Sequence, residues 1–202
     1  MSSRDVSEKE KAIYIAIVEL MQEGADLNRL TVSEITGRAG IGKGTAYEYF
    51  SDKEEMIAKA LFYYARELCD LLFQLIDKEK NLYDKMNRVF LEMEQRLTET
   101  DCILRIVHIM YERFGIGKRF RELEKQEGML LIEEIQKHIL LEKNETKKAL
   151  HEETRVYLVM EIVSRILCYG MMLTHEFYVP ESSREKIRDK ICRGICREVE
   201  EA

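Results

Sequence analysis

Between residues 40 and 54 the chain reads GIGKGTAYEYFSDKE, a run of side chains suited to holding a polyanion. Lys43 and Lys53 offer point charges to phosphate oxygens. Tyr47 and Tyr49 can donate their hydroxyls to phosphates from either side of a helix, while Thr45 can reach a base edge or a thymine methyl. Gly44 has no side chain, so a nucleic-acid backbone can come close there. Lys43 falls where a short helix would begin, and free N–H groups with the helix dipole favour a phosphate there.

These side chains need two short helices to present them. TVSE at Thr31 to Glu34 fits a capping box, in which a threonine hydroxyl accepts from the third N–H and the glutamate reaches back to the cap. The helix it opens is stopped by Gly40, which takes a left-handed conformation cheaply. After Gly40, Ile41 and Gly42, the segment KGTAYEYF runs to a further capping pattern, SDKE at Ser51 to Glu54. At about 100° per residue, Ala46 and Phe50 point together toward Ile35, Ala39 and Ile41, and Gly44, Thr45, Tyr47 and Glu48 point away. A tight turn between two short helices is one way to lay the second in a DNA major groove. The same pattern also describes a plain helical subdomain whose tyrosines are half-buried and whose lysines are solvated.

The whole chain narrows the choice. It has 202 residues, 46% hydrophobic and 35% charged, with one proline and no tryptophan, which predicts an all-α protein. Its formal charge of −6 gives no global basic field. Residues 1 to 54 are themselves acidic, with seven basic side chains against ten acidic ones. DNA binding is therefore expected to rest on few phosphate contacts per subunit and to be salt-sensitive. Five cysteines, at 69, 102, 168, 192 and 196, form neither a CxxC pair nor a set with histidine at ligand spacing, so no metal and no disulfide framework are expected. Cys192 and Cys196, one turn apart, read as packing or as an oxidant sensor. The most apolar stretch, 156 to 173, is interrupted by Glu161 and Arg165, and the start MSSRDVSEKEK has no apolar run, so a soluble, cytoplasmic protein without a membrane segment is expected. There is no Gly-rich phosphate loop, HExxH or serine elbow, and neither enzymatic activity nor a cofactor is expected.

A first helix opens at the capping box SEKE, residues 7 to 10, presents Ile13, Ala16, Ile17, Leu20 and Met21 on one face and stops at Gly24. From Ser51 the apolar spacing continues to about residue 77 as one long helix. Further helices are predicted near 82–99, 102–114, 118–142, 146–177 and 183–200.

TVSEITGRAGIGKGTAYEYFSDKEEMI resembles the signature of the TetR family of one-component regulators, a likeness that covers about residues 8 to 57. It is carried by Thr31, Ala39, Gly40, Lys43, Gly44, Thr45, Tyr47, Tyr49, Phe50, Lys53 and Glu54. The sequence departs from the family pattern at Gly42, where serine is common, and at Thr36 and Gly37 within the second helix. The resemblance implies a three-helix DNA-binding domain over 1–50 and a larger helical effector-binding and dimerisation domain over 51–202. It also implies that Thr31, Gly42, Lys43, Gly44, Thr45, Tyr47, Tyr49 and Lys53 meet double-stranded DNA.

One recognition helix buries little surface, so a homodimer on two half-sites is expected. The last helix carries Ile187, Ile191, Ile195 and Val199, and the one before it Val156, Val159, Met160, Val163, Ile166 and Leu167. The resemblance implies that these stripes, with Val156, Val163 and Leu167 in front, pair with their copies; the bare pattern also fits intrachain core. It likewise implies a small-molecule pocket in the middle helices, where Phe62, Phe90, Met93, Met110, Tyr111, Phe114, Met129, Tyr169, Met172 and His175 supply adaptable or aromatic walls. The expected function is a repressor released from a palindromic operator by a small-molecule effector. The alternative is a helical ligand-binding or adaptor protein that has lost DNA binding.

Overall fold

The computed structural model describes residues 6–110, 114–140, 151–174 and 179–202, with backbone only at 98, 110 and 127–132. Nine helices and no strand occur among the described residues: α1 (Glu8–Gln22), α2 (Val32–Ala39), α3 (Lys43–Tyr49), α4 (Lys53–Ile76), α5 (Leu82–Gln95), α6 (Leu97–Met110), α7 (Gly115–Ile139), α8 (Glu152–Thr174) and α9 (Glu181–Glu201). The all-α reading holds. Two compact units comprise residues 1–68 with 105–126, and 69–104 with 127–202.

In the first unit α1 buries Ile13, Ala16, Ile17 and Met21 of the face expected from its spacing, with Leu20 half-buried, and buries Tyr14 in addition. Ser7 and Glu10 form the predicted capping box. The core continues through Leu27, Leu30, Ile35, Ala46, Phe50, Met56, Ile57 and Leu61. The N-terminal part of α4, as far as Leu61, thus contributes to this core. Residues 105–126 join it by specific contacts: the Arg105 guanidinium donates to the Met21 carbonyl at 2.6 Å, and the Phe62 and Phe120 rings meet edge-on at 5.7 Å. Arg119 pairs with Asp52.

The second unit is built on α5, α8 and α9, which pack against one another. Its core holds Phe73, Ile76, Met86, Val89, Phe90, Met93, Ile139, Ile162, Tyr169, Leu173, Cys192 and Ile195. Gly170 belongs here because a Cβ would sit 3.0 Å from the Met93 methyl and 3.2 Å from the Thr100 methyl. Inside it Tyr169 donates to Glu94, which also accepts from Arg188, and Arg188 donates to Asn87 at 2.8 Å. These bonds satisfy polar groups whose burial would otherwise cost several kcal/mol, roughly 1–3 each. Cys192 lies within this core, where burial first of all pushes its thiol up to about 12, so it acts as packing and not as a reactive thiolate.

Several boundaries differ from the sequence expectation. A break at Arg96 (φ −119°, ψ 61°) ends α5, expected to reach 99, and starts α6 at 97 rather than 102. No glycine or proline marks it; the Thr100 hydroxyl donates back to the Met93 carbonyl across the break at 3.1 Å. α9 starts two residues early because Pro180 (φ −55°) serves as its cap. By length and composition α8 alone among the described helices is long and apolar enough to cross a membrane. It nevertheless carries the ion pair Glu161–Arg165 and turns Leu158, Val159, Ile162 and Tyr169 into the protein.

Candidate nucleic-acid interface

The turn between α2 and α3 is made as the sequence requires. The Thr31 hydroxyl accepts from the Glu34 N–H at 3.3 Å, and the Glu34 carboxylate accepts from the Thr31 N–H at 2.8 Å and from its hydroxyl at 2.6 Å. These bonds hold the Glu34 carboxyl below the usual carboxylate range, the Thr31 hydroxyl contributing most. At the other end Gly40 takes φ +67°, and its N–H and that of Ile41 close onto α2 carbonyls. Within α2 the buried Thr36 donates its hydroxyl to the Val32 carbonyl at 2.8 Å, which explains a threonine there. Gly37 has no such reason: a Cβ would meet nothing within 4 Å.

α2 is fastened to α1 by a two-pronged pair in which Arg38 donates to both oxygens of Glu23 at 2.8 Å. Ala46 and Phe50 turn inward and are buried, as their spacing predicts, with Ile35 buried beside them and Ala39 and Ile41 only partly so. Phe50 lies 6.0 Å from the Tyr14 ring and carries the Lys59 ammonium 5.5 Å above its face. Hydrophobic anchoring thus fixes which side of α3 faces out.

The outward side is Lys43, Gly44, Tyr47 and Glu48, all exposed, with Tyr47 54% exposed. Positions 43 and 47, and 44 and 48, are each one turn apart, so the four form a single patch. Thr45 and Tyr49 flank it and are half-buried, with Tyr49 6.4 Å from Phe50. Gly42 caps α3 in an extended conformation with no side-chain bond, as expected for a residue lacking a hydroxyl.

Two predicted contact residues are engaged inside the chain. Thr31 gives its hydroxyl proton to Glu34, so it acts first as the α2 cap. The Lys53 ammonium donates to the Asn28 carbonyl at 2.8 Å, leaving two of its three N–H groups for a phosphate. The cap of α4 is also shifted by one residue from the expected Ser51: Asp52 accepts from the Glu55 N–H at 2.7 Å, and Glu55 reaches back to Ser51. Asp and Ser cap about equally well, and here Asp52 takes the cap while its other oxygen accepts from Arg119.

The described residues expected to line an effector pocket are distributed over both units. Phe90, Met93 and Tyr169 share the core of the second unit, with Phe90 and Tyr169 edge-on at 5.0 Å, and Met172 is half-buried. Phe62 packs on Phe120 in the first unit, and Phe114 is 82% exposed. Tyr111 and His175 lie outside the described residues, as do the side chains of Met110 and Met129. A shallow depression between α8 and α9 is lined by none of these.

The stripe Ile187, Ile191, Ile195 and Val199 on α9 packs on the core of its own unit, and Ile195 is fully buried. Ile187, Ile191 and Val199 remain half-buried. Val156, Val163 and Leu167 of α8 are half-buried. What α8 exposes instead is Tyr157 (60%), Met160 (52%) and Met171 (43%), with Ser164 and Cys168 between them. Their spacings of three and four put all five on one stripe. Apolar periodicity did not single this stripe out because serine and cysteine interrupt it.

Residues 13–60 match the bacterial regulatory proteins of the tetR family. No curated protein matches the chain by sequence. The structure is similar to FadR of Bacillus subtilis, solved with stearoyl-CoA (16% identity, 92% of this chain and 96% of that one, TM-score 0.60). It is also similar to a tetR-family regulator of Streptomyces coelicolor (15%, 96% and 82%, 0.63). NalD, the secondary repressor of the MexAB-OprM multidrug efflux pump in Pseudomonas aeruginosa, is similar as well (18%, 94% and 97%, 0.60). At these identities the likeness establishes the fold. Residues 13–60, with their α2–turn–α3 geometry, thus match the N-terminal DNA-binding domain of the tetR family, and the chain as a whole has the fold of these solved regulators.

Proposed function

We propose that this regulator is a cytoplasmic repressor that occupies a palindromic operator as a homodimer and leaves it when a small molecule binds the second unit. The observation that carries the reading is the patch Lys43, Gly44, Tyr47 and Glu48, held outward by the buried Ala46 and Phe50. Lys43, Tyr47, Tyr49 and Lys53 hold phosphates, while Gly44 and Thr45 approach base edges.

Two copies are needed because one seven-residue helix buries too little surface for specific binding. The exposed stripe of α8 supplies the self-association face: a row of tyrosine and methionine side chains on one helix is costly in water and is covered by the same row of a second copy. Effector control is supported by the likeness in fold to FadR of Bacillus subtilis, which was solved with stearoyl-CoA. Here an apolar effector entering near Phe90, Met93, Tyr169 and Met172 would favour a DNA-incompetent arrangement, each tenfold shift needing about 1.4 kcal/mol. α4, α6 and α7 each contribute residues to both units, so such a change has a covalent route to α3.

The test is selection from random duplexes with the full chain, beside sedimentation of Met160→Lys. Enrichment of a two-fold symmetric site, lost together with the dimer in Met160→Lys, is the expected result. Failure to enrich any symmetric site at low salt would leave the helical ligand-binding or adaptor reading in its place.

A further inference from the structure

Glu48 is the one acidic side chain on the outward patch of α3, and nothing assigned so far explains it. It is exposed and enters no hydrogen bond or ion pair with the described residues, whereas Glu34 is engaged by Thr31, Asp52 by Glu55 and Arg119, and Glu55 by Ser51 and Lys59. Helical side chains lean toward the preceding turn. The residue one turn before Glu48 is Gly44, where even a Cβ would meet nothing within 4 Å, so space beside the carboxylate is open.

We propose that Glu48 is a specificity-determining residue that reads cytosine in each operator half-site. The inference rests on the DNA-binding reading above and names what that face recognises. A free carboxylate brought against DNA is repelled by every phosphate and by the acceptor atoms of guanine and thymine edges. The major groove offers it two donors, the N4 amine of cytosine and the N6 amine of adenine. Adenine places its N7 acceptor beside that amine, which repels a carboxylate; cytosine has no acceptor of its own there. Glu48 therefore accepts from cytosine N4, next to the Gly44 approach, and disfavours the other bases at that position. It also lowers affinity for random DNA, so the charge acts against unspecific sites.

The proposal is tested by parallel selection with the full-length wild type, Glu48→Gln and Glu48→Ala, with melting midpoints as a check on folding. The exposed, unpaired position predicts unchanged midpoints. The wild type should fix cytosine at one symmetric pair of positions. Glu48→Gln, which can pair with adenine N6 and N7, should turn that position to adenine. Glu48→Ala should lose about five- to tenfold of the discrimination there and nowhere else, and both variants should bind random duplex more tightly at low salt. A symmetric site enriched identically, base for base, by all three proteins overturns the role of Glu48 and leaves the DNA-binding reading standing. No symmetric site for the wild type overturns both.

Discussion

The Lys53 ammonium donates to the Asn28 carbonyl at 2.8 Å, tying the first turn of α4 to the segment that precedes α2. One side chain thus braces the domain from within while its remaining N–H groups face outward. Lys53→Ala should lower stability by about 0.5–1.5 kcal/mol, the usual net value of such a bond. It should also reduce the slope of log affinity against log salt by about 1, the signature of one lost phosphate contact. A stability loss with an unchanged salt slope would assign Lys53 to bracing alone.

Gly37 sits inside α2 with no neighbour that excludes a side chain. Gly37→Ala should therefore raise stability by about 0.5–1 kcal/mol through helix propensity and a less flexible unfolded chain. Denaturant titration measures it; a decrease would mean that the position has a packing constraint the geometry does not contain.

Gly42 has an extended backbone (φ −69°, ψ 146°) suited to any capping residue, and a side chain there would be unobstructed. Gly42→Ser should give α3 a hydroxyl cap worth a few tenths of a kcal/mol over glycine. It should also tighten binding to the enriched duplex severalfold by adding a donor to phosphate. Unchanged or weaker binding in a titration would place residue 42 away from the DNA backbone.

Glu55 provides a pH dependence. Burial opposes its ionisation, but hydrogen bonds from Lys59 and from the Ser51 hydroxyl and N–H prevail and bring it from 4.5 down to about 2. A carboxylate depressed on folding stabilises above its unfolded value and loses that contribution as pH falls toward the folded value. Stability should therefore decline between about pH 4.5 and 2, the range set by those two values. Glu55→Gln should be less stable near neutral pH and show a flatter decline in that interval; equal slopes in acid unfolding would remove Glu55 from the cause.

Much of the DNA-binding unit is legible from local chemistry. Thr31 with Glu34 starts α2, Gly40 stops it, and the spacing of Ala46 and Phe50 sets which side of α3 is buried. Where two residues compete for one role, as Ser51 and Asp52 do for the α4 cap, pattern alone is off by one. Contacts distant in sequence escape it altogether: Asp52 meets Arg119 across 67 residues, and Met21 meets Arg105 across 84. Periodicity reports that a helix face is apolar but not what covers it. Hence Ile187, Ile191 and Val199 suggest a partner and are half-buried against their own core, while Tyr157, Met160 and Met171 are left exposed. Phe62 and Phe90 suggest one pocket from composition and fall in different compact units.

The central claim is that the outward patch of α3 binds DNA, and the most direct measurement is an anisotropy titration of the selected duplex with wild type, Lys43→Ala and Tyr47→Phe. Both residues are exposed and lie off the core, so folding should be unaffected. The account predicts weaker binding by both variants, about fivefold or more for each, with Lys43→Ala also lowering the salt slope by about 1. Wild-type affinity and salt dependence in both would contradict it.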